Sequence, residues 1–83
     1  MQVKVGDLVR YKHDKYQMGM VLKFDDSRAT YVMDYETGEK NRVANDNILV
    51  AWQGKGRSWF VEAKYIEVKG DGRYGWQDVD EQN

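Results

Sequence analysis

The sequence predicts an all-β fold, and three observations carry that prediction. Apolar residues recur with period two almost everywhere, and no helix-sized window sustains an i, i+3, i+4 pattern. Proline is absent and glycine occurs eight times, so the chain turns at glycine and asparagine. At 83 residues it forms one domain at most. A domain of that size buries only about 60–65% of the surface its unfolded chain exposes, and no cysteine is present to staple it.

Gly6-Asp7 reads as a turn that launches a first strand, "DLVRYK", in which Val9 and Tyr11 alternate with Leu8, Arg10 and Lys12. The next strand, "MGMVLKF", places Met18, Met20, Leu22 and Phe24 on one face and Gly19, Val21 and Lys23 on the other. Glycine inside a strand predicts a bulge, a bend or the close approach of another backbone. "DDSRA" (25–29) is a polar connection into a hairpin. There Tyr31, Met33 and Tyr35 share a face, Thr37-Gly38 turns, and Asn41–Val43 returns.

After Asn45-Asp46-Asn47, Ile48, Val50 and Trp52 alternate with Leu49 and Ala51. Trp59 and Val61 alternate with Ser58 and Phe60 beyond the Gly-Lys-Gly turn. A two-residue loop at Lys55-Gly56 sets Trp52 opposite Trp59. A three-residue loop sets it opposite Ser58 and separates the tryptophans. Glu62–Tyr65 reads as one 3₁₀ turn delivering a last short strand around Ile66 and Val68. From Gly70, "GDGRYGWQDVDEQN" has three glycines, no apolar period and an acidic end. The division expected is a barrel over 1–69 and a Gly-rich acidic tail over 70–83.

The opening "KVGDLVRYK", the glycine-bearing "GMVLKF", a Val-x-Trp strand, a glycine turn into a second Trp strand and the closing "AKYIEV" occur in that order. This arrangement resembles the small SH3-like barrels, KOW- and Tudor-related in shape, that tailed bacteriophages, cyanophages among them, encode. The resemblance covers about residues 4–69. It implies a small SH3-like barrel of five to six antiparallel strands with an extra hairpin near 30–44, and a phage setting in host cytoplasm or virion. It implies no activity, because the fold hosts unrelated functions and mostly binds things.

Charge bears on the partner. Residues 1–70 carry twelve Lys/Arg against ten Asp/Glu, and residues 71–83 carry Arg73 against Asp71, Asp78, Asp80 and Glu81. A binder that works by releasing counterions from nucleic acid needs a clear basic excess, and this chain has none. A nucleic-acid-binding KOW-like barrel is therefore the disfavoured alternative to a protein partner or self-association. No apolar run approaches membrane-spanning length, the longest being Ile48 to Trp52, and no apolar leader stands at the N-terminus. No membrane partner is expected.

Catalytic chemistry finds no foothold. His13, in "YKHDK", reads as an exposed loop histidine, since the side chain of adjacent Asp14 diverges from it in an open loop. Asp25-Asp26 with Asp34 or Glu36 reads as acid-rich turns rather than a cation site. "DYETGE" (34–39) has glycine where a calcium loop needs an oxygen ligand. Ser27 and Ser58 lack a histidine in context, and "QGKGRS" lacks the strand-to-helix setting of a phosphate loop. We expect neither an enzyme nor a cofactor or metal site.

Eleven aromatics exceed what a core this small must hold. Phe24, Phe60 and part of Trp52 and Trp59 are assigned to it. Tyr11, Tyr16 and Tyr65 flank regions that lie near one another in SH3-like barrels. Convergence of Tyr11, Trp59 and Tyr65, with Arg57 and Lys12 at the rim, would form an aromatic groove suited to extended peptide. Tyr74 and Trp76, in "RYGW", either pack back onto the barrel or anchor another chain.

Overall fold

The computed structural model describes residues 2–70 and 75–79. Among these residues eight strands form: β1 Leu8–Tyr11, β2 Met18–Phe24, β3 Ala29–Met33, β4 Lys40–Asn45, β5 Ile48–Trp52, β6 Ser58–Val61, β7 Ile66–Lys69 and β8 Trp76–Asp78. Short 3₁₀ turns at Asp26–Arg28 and Ala63–Tyr65 lead into β3 and β7. The fold is all-β and antiparallel throughout. Six strands make one sheet in the order β6-β5-β2-β1-β7-β8, and β3-β4 is a separate two-stranded hairpin.

The pleat sorts the six-stranded sheet into two faces. Val9, Val21, Val50, Trp52, Val61, Ile66 and Val68 point inward and are 0–5% exposed. They come from five strands of that sheet, which therefore curls around its own inner face. β6 and β8 remain its edges and do not pair with each other. The outward face carries Leu8, Met20 and Leu22, which are substantially exposed, and a row in which Leu8 opposes Met20, Met20 opposes Ala51, and Ala51 opposes Ser58.

Gly19 marks a close backbone approach. It lies between Val9 on β1 and Trp52 on β5. A Cβ there would stand 2.4 Å from the Ala51 carbonyl oxygen and 2.7 Å from Val50 Cγ1. The first of these is backbone and cannot swing aside, so Gly19→Ala must push β2 off β5. The expected loss is about 3 kcal/mol or more, read as a lower urea midpoint.

Three expectations change. The period-two face of β2 breaks at a bulge between Val21 and Lys23. Leu22 is the extra residue, so Phe24 swings to oppose Ile48 at the rim of the core, 37% exposed. Phe60, opposite Leu49 on the outward face, is half-buried. Neither phenylalanine is a core residue.

The β5–β6 hairpin adopts neither register expected. Val50 opposes Trp59 and Ala51 opposes Ser58, so Trp52 and Trp59 are diagonal neighbours on one face. The longer connection, with Gly54 and Gly56 both at positive φ, supplies the difference.

The segment read as a tail enters the sheet. Gly75, at φ +63°, turns the chain so that its carbonyl accepts the Gly70 amide at 2.7 Å. Trp76–Asp78 then pairs with β7, and Val79 reaches the core at 5% exposure.

The hairpin stands away from the body. Residues 30–43 are exposed without exception, and the chain's extents are 48 × 29 × 22 Å. Its radius of gyration, 14.4 Å, exceeds the ~12 Å expected for a compact chain of this length. The turn at its tip is closed by Gly38 N–H donating to the Asp34 carbonyl at 2.7 Å and Asp34 N–H donating to Glu39 at 2.8 Å.

Candidate functional site

Two regions gather chemistry. The first is an aromatic cluster at one end of the sheet. Tyr11 and Trp52 sit on strands separated by β2, about 10 Å apart at the backbone. Their rings nevertheless stack, 4.6 Å between centroids and 6° between planes.

Trp59 leans on Trp52 at 5.4 Å and 32°, and its indole Nε1–H donates to the Tyr11 hydroxyl at 2.9 Å. The Arg57 guanidinium lies 5.5 Å from the Trp59 ring centroid. Tyr11, Arg57 and Trp59 are thus brought together, with Trp52 as their buried centre at 4% exposure. The rings are largely spent on one another. Trp52 Nε1 and Gln17 Nε2 are buried donors without a protein partner among the described residues.

Tyr65 is joined to this end through backbone. Its carbonyl accepts the Lys12 amide at 2.9 Å, and its ring, 44% exposed, has the Lys64 ammonium 5.1 Å away. The Lys64 amine is held above its ordinary range chiefly by the Glu62 carboxylate. Lys12 turns instead to Asp78 on β8, 3.3 Å away.

Trp76 lies on the opposite, outward face. The Arg10 guanidinium covers its ring at 4.4 Å while donating to Glu67 at 3.0 Å. Trp76 thus packs back onto the sheet. Tyr74 lies outside the described residues.

His13 is exposed, and Asp14 does not serve it: its Oδ1 accepts the Tyr16 amide at 3.1 Å. Among the described residues no group of three or more His, Cys, Asp or Glu is placed to hold a metal ion, and no helix is long and apolar enough to cross a membrane.

The second region was not foreseen. A cleft of about 720 Å3 opens where the hairpin leaves the body. Phe24, Ile48 and Val79 are among its body-side lining residues, and Tyr31, Arg42 and Val43 line it from the hairpin. The root of the hairpin is clasped by polar contacts, of which those of Asp26 and Asn47 lie in the cleft wall. The Asp25 carboxylate accepts from the Ser27 amide and hydroxyl at 3.1 and 2.6 Å, and these bonds hold it below the ordinary carboxylate range. Arg28 donates to the Asp46 carbonyl and carboxylate at 3.1 and 3.3 Å, with its guanidinium 4.0 Å over Phe60. Asn47, 5% exposed, donates to Asp26 at 3.0 Å.

The sequence signal for this clasp was the polar pair "DDSR" and "NDN", which read as two separate turns. Their contact spans 18 residues in the Arg28–Asp46 bond, and no local pattern encodes it. Comparison with protein-family models, with characterised proteins and with solved structures returned no match.

Proposed function

We propose that this protein is a non-enzymatic binding module whose working surface is the hairpin arm, and that it acts through protein–protein contacts. The supporting observation is the arm itself. Tyr31, Val32, Met33, Tyr35 and Val43 are 45–94% exposed on one protruding element. Exposed apolar residues gathered on one protruding element mark an interaction site. A two-stranded hairpin is marginal in water on its own, so a partner's surface would supply the burial the body does not. The phage setting implied by the resemblance puts this contact in host cytoplasm or virion.

A photoreactive residue in place of Tyr35, compared with one in place of Lys55 on the body, tests the reading in cells producing the full chain. Protein adducts concentrated at the arm are expected. Adducts only at the body position overturn the assignment of the surface. Salt-sensitive binding of a labelled single-stranded oligonucleotide, lost when Arg57 and Lys12 are replaced, overturns the partner class in favour of nucleic acid.

A further inference from the structure

An exposed strand edge presents unpaired N–H and C=O groups and recruits other strands unless something blunts it. Among the described residues this chain has four such edges, and three carry a blunting device. β8 is three residues long and ends at Asp78. β6 has four residues, with the Arg57 and Arg28 guanidinium groups over its Trp59 and Phe60 rings. β4 carries Lys40 and Arg42 and also a bulge. Thr30 and Tyr31 oppose Ala44 and Arg42, so Val43 is the inserted residue and the distortion belongs to β4.

β3 has none of these. Its five residues, Ala29 to Met33, include no charge, glycine or proline, and it pairs with β4 alone among the described residues. Tyr31, Val32 and Met33 are 54%, 55% and 45% exposed.

We propose that β3 pairs with β3 of a second copy of this chain, antiparallel across a two-fold axis, to form a four-stranded sheet in the order β4-β3-β3-β4. This rests on the reading of the arm as the contact surface and names its partner. Full overlap of a five-residue strand with itself centres on the middle residue. Tyr31 then faces Tyr31, Thr30 faces Val32, and Ala29 faces Met33.

Every cross-strand pair is neutral, so no charge loses its water. β-Branched residues meet on one face and aromatics on the other, the pairings sheets favour. The outer edges of the resulting sheet are both β4, guarded by its bulge, Lys40 and Arg42. The assembly therefore closes at two copies instead of growing. An isologous contact of this type needs no second complementary surface.

Light-scattering mass of the full chain over a range of concentrations tests this, beside two charged forms. Thr30→Lys/Val32→Lys sets like charges opposite each other twice, and so does Thr30→Glu/Val32→Glu. On β4 these positions face only Ala44 and Asn41, so the hairpin itself gains no repulsion. We expect a concentration-dependent dimer for the unaltered chain, a monomer for each charged form, and a dimer again when the two forms are mixed.

Amide exchange on the unaltered chain supplies a readout without mutation. Amides of β3 should be protected in the dimer and lose that protection on dilution. A chain monomeric at every concentration, an unbounded aggregate, or charged forms that remain dimeric would overturn the proposal. A monomer whose arm still cross-links to a different protein would sink this pairing alone. Loss of arm cross-links as well would sink both readings.

Discussion

Trp52→Ala is expected to destabilise the protein by about 3–5 kcal/mol. Trp52 is 4% exposed, stacks on Tyr11 at 4.6 Å and supports Trp59 at 5.4 Å. Removing its indole leaves a hole bordered by two aromatics and by Gly19, which has no side chain to move in. The neighbours cannot collapse cheaply, because Tyr11 and Trp59 are tied to each other by a hydrogen bond.

A chain of this length has roughly 4–12 kcal/mol of total stability, so the loss is a large part of it. Trp59→Ala is expected to cost less, about 1–2 kcal/mol, since that residue is only half-buried and its loss removes one net hydrogen bond. Urea midpoints of the two variants decide between them. Equal losses, or a larger one for Trp59→Ala, would mean that the cluster is centred on the wrong tryptophan.

That distinction shows where sequence reading stops. Alternation alone located β1, β2, β5, β6 and β7, because one face of each is buried and the period-two pattern is dictated by that burial. Turn chemistry placed the hairpin turn at Thr37-Gly38, where Gly38 sits at φ +74°. Alternation cannot count loop residues, so the relative placement of Trp52 and Trp59 stayed open between two registers, and the observed one is a third. Nor does it survive a bulge: one extra residue at Leu22 moved Phe24 to the other side of β2.

The aromatic residues predicted to converge did so in part. Tyr11, Arg57 and Trp59 meet, while Tyr65 is joined to them through its backbone carbonyl and Lys12 turns to Asp78. The cleft and its clasp depend on contacts between residues far apart in sequence, and short polar stretches carry no mark of which stretch they will meet.

The arm and the cluster also divide the work of the fold. Aromatic mass is concentrated inside the body, where Tyr11, Trp52 and Trp59 stabilise a sheet too small to enclose much else. The hairpin contributes little to that core, so its exposed residues are free of the packing demands that restrict the strands. Variation at Tyr31 or Val32 should change association with little change in the stability of the body, whereas variation at Trp52 should do the reverse. The two sets of residues lie on separate elements, so their effects should be close to additive.

Deleting residues 71–83 is expected to cost the domain about 3–5 kcal/mol, the sum of burial and cation–ring terms. By composition this segment is expendable, and its Gly-rich, acidic character argues for a tail. Its described part, however, covers β7 along Glu67–Asp78, Val68–Gln77 and Lys69–Trp76. It also takes Val79 to 5% exposure within the core. Without it Val68 loses its neighbouring strand, and Arg10, whose side chain is 17% exposed, loses the ring that covers it.

Backbone freedom regained by the shortened end offsets part of this. Val79→Ala isolates the core contribution and should cost about 2 kcal/mol with β8 still in place. A truncated chain with increased binding of an apolar dye and a lowered urea midpoint would confirm that this strand completes the sheet. A truncated chain as stable as the whole would mean that β8 rests on the body without closing its core. The Arg10–Trp76 contact would then be a surface adornment, despite its 4.4 Å geometry.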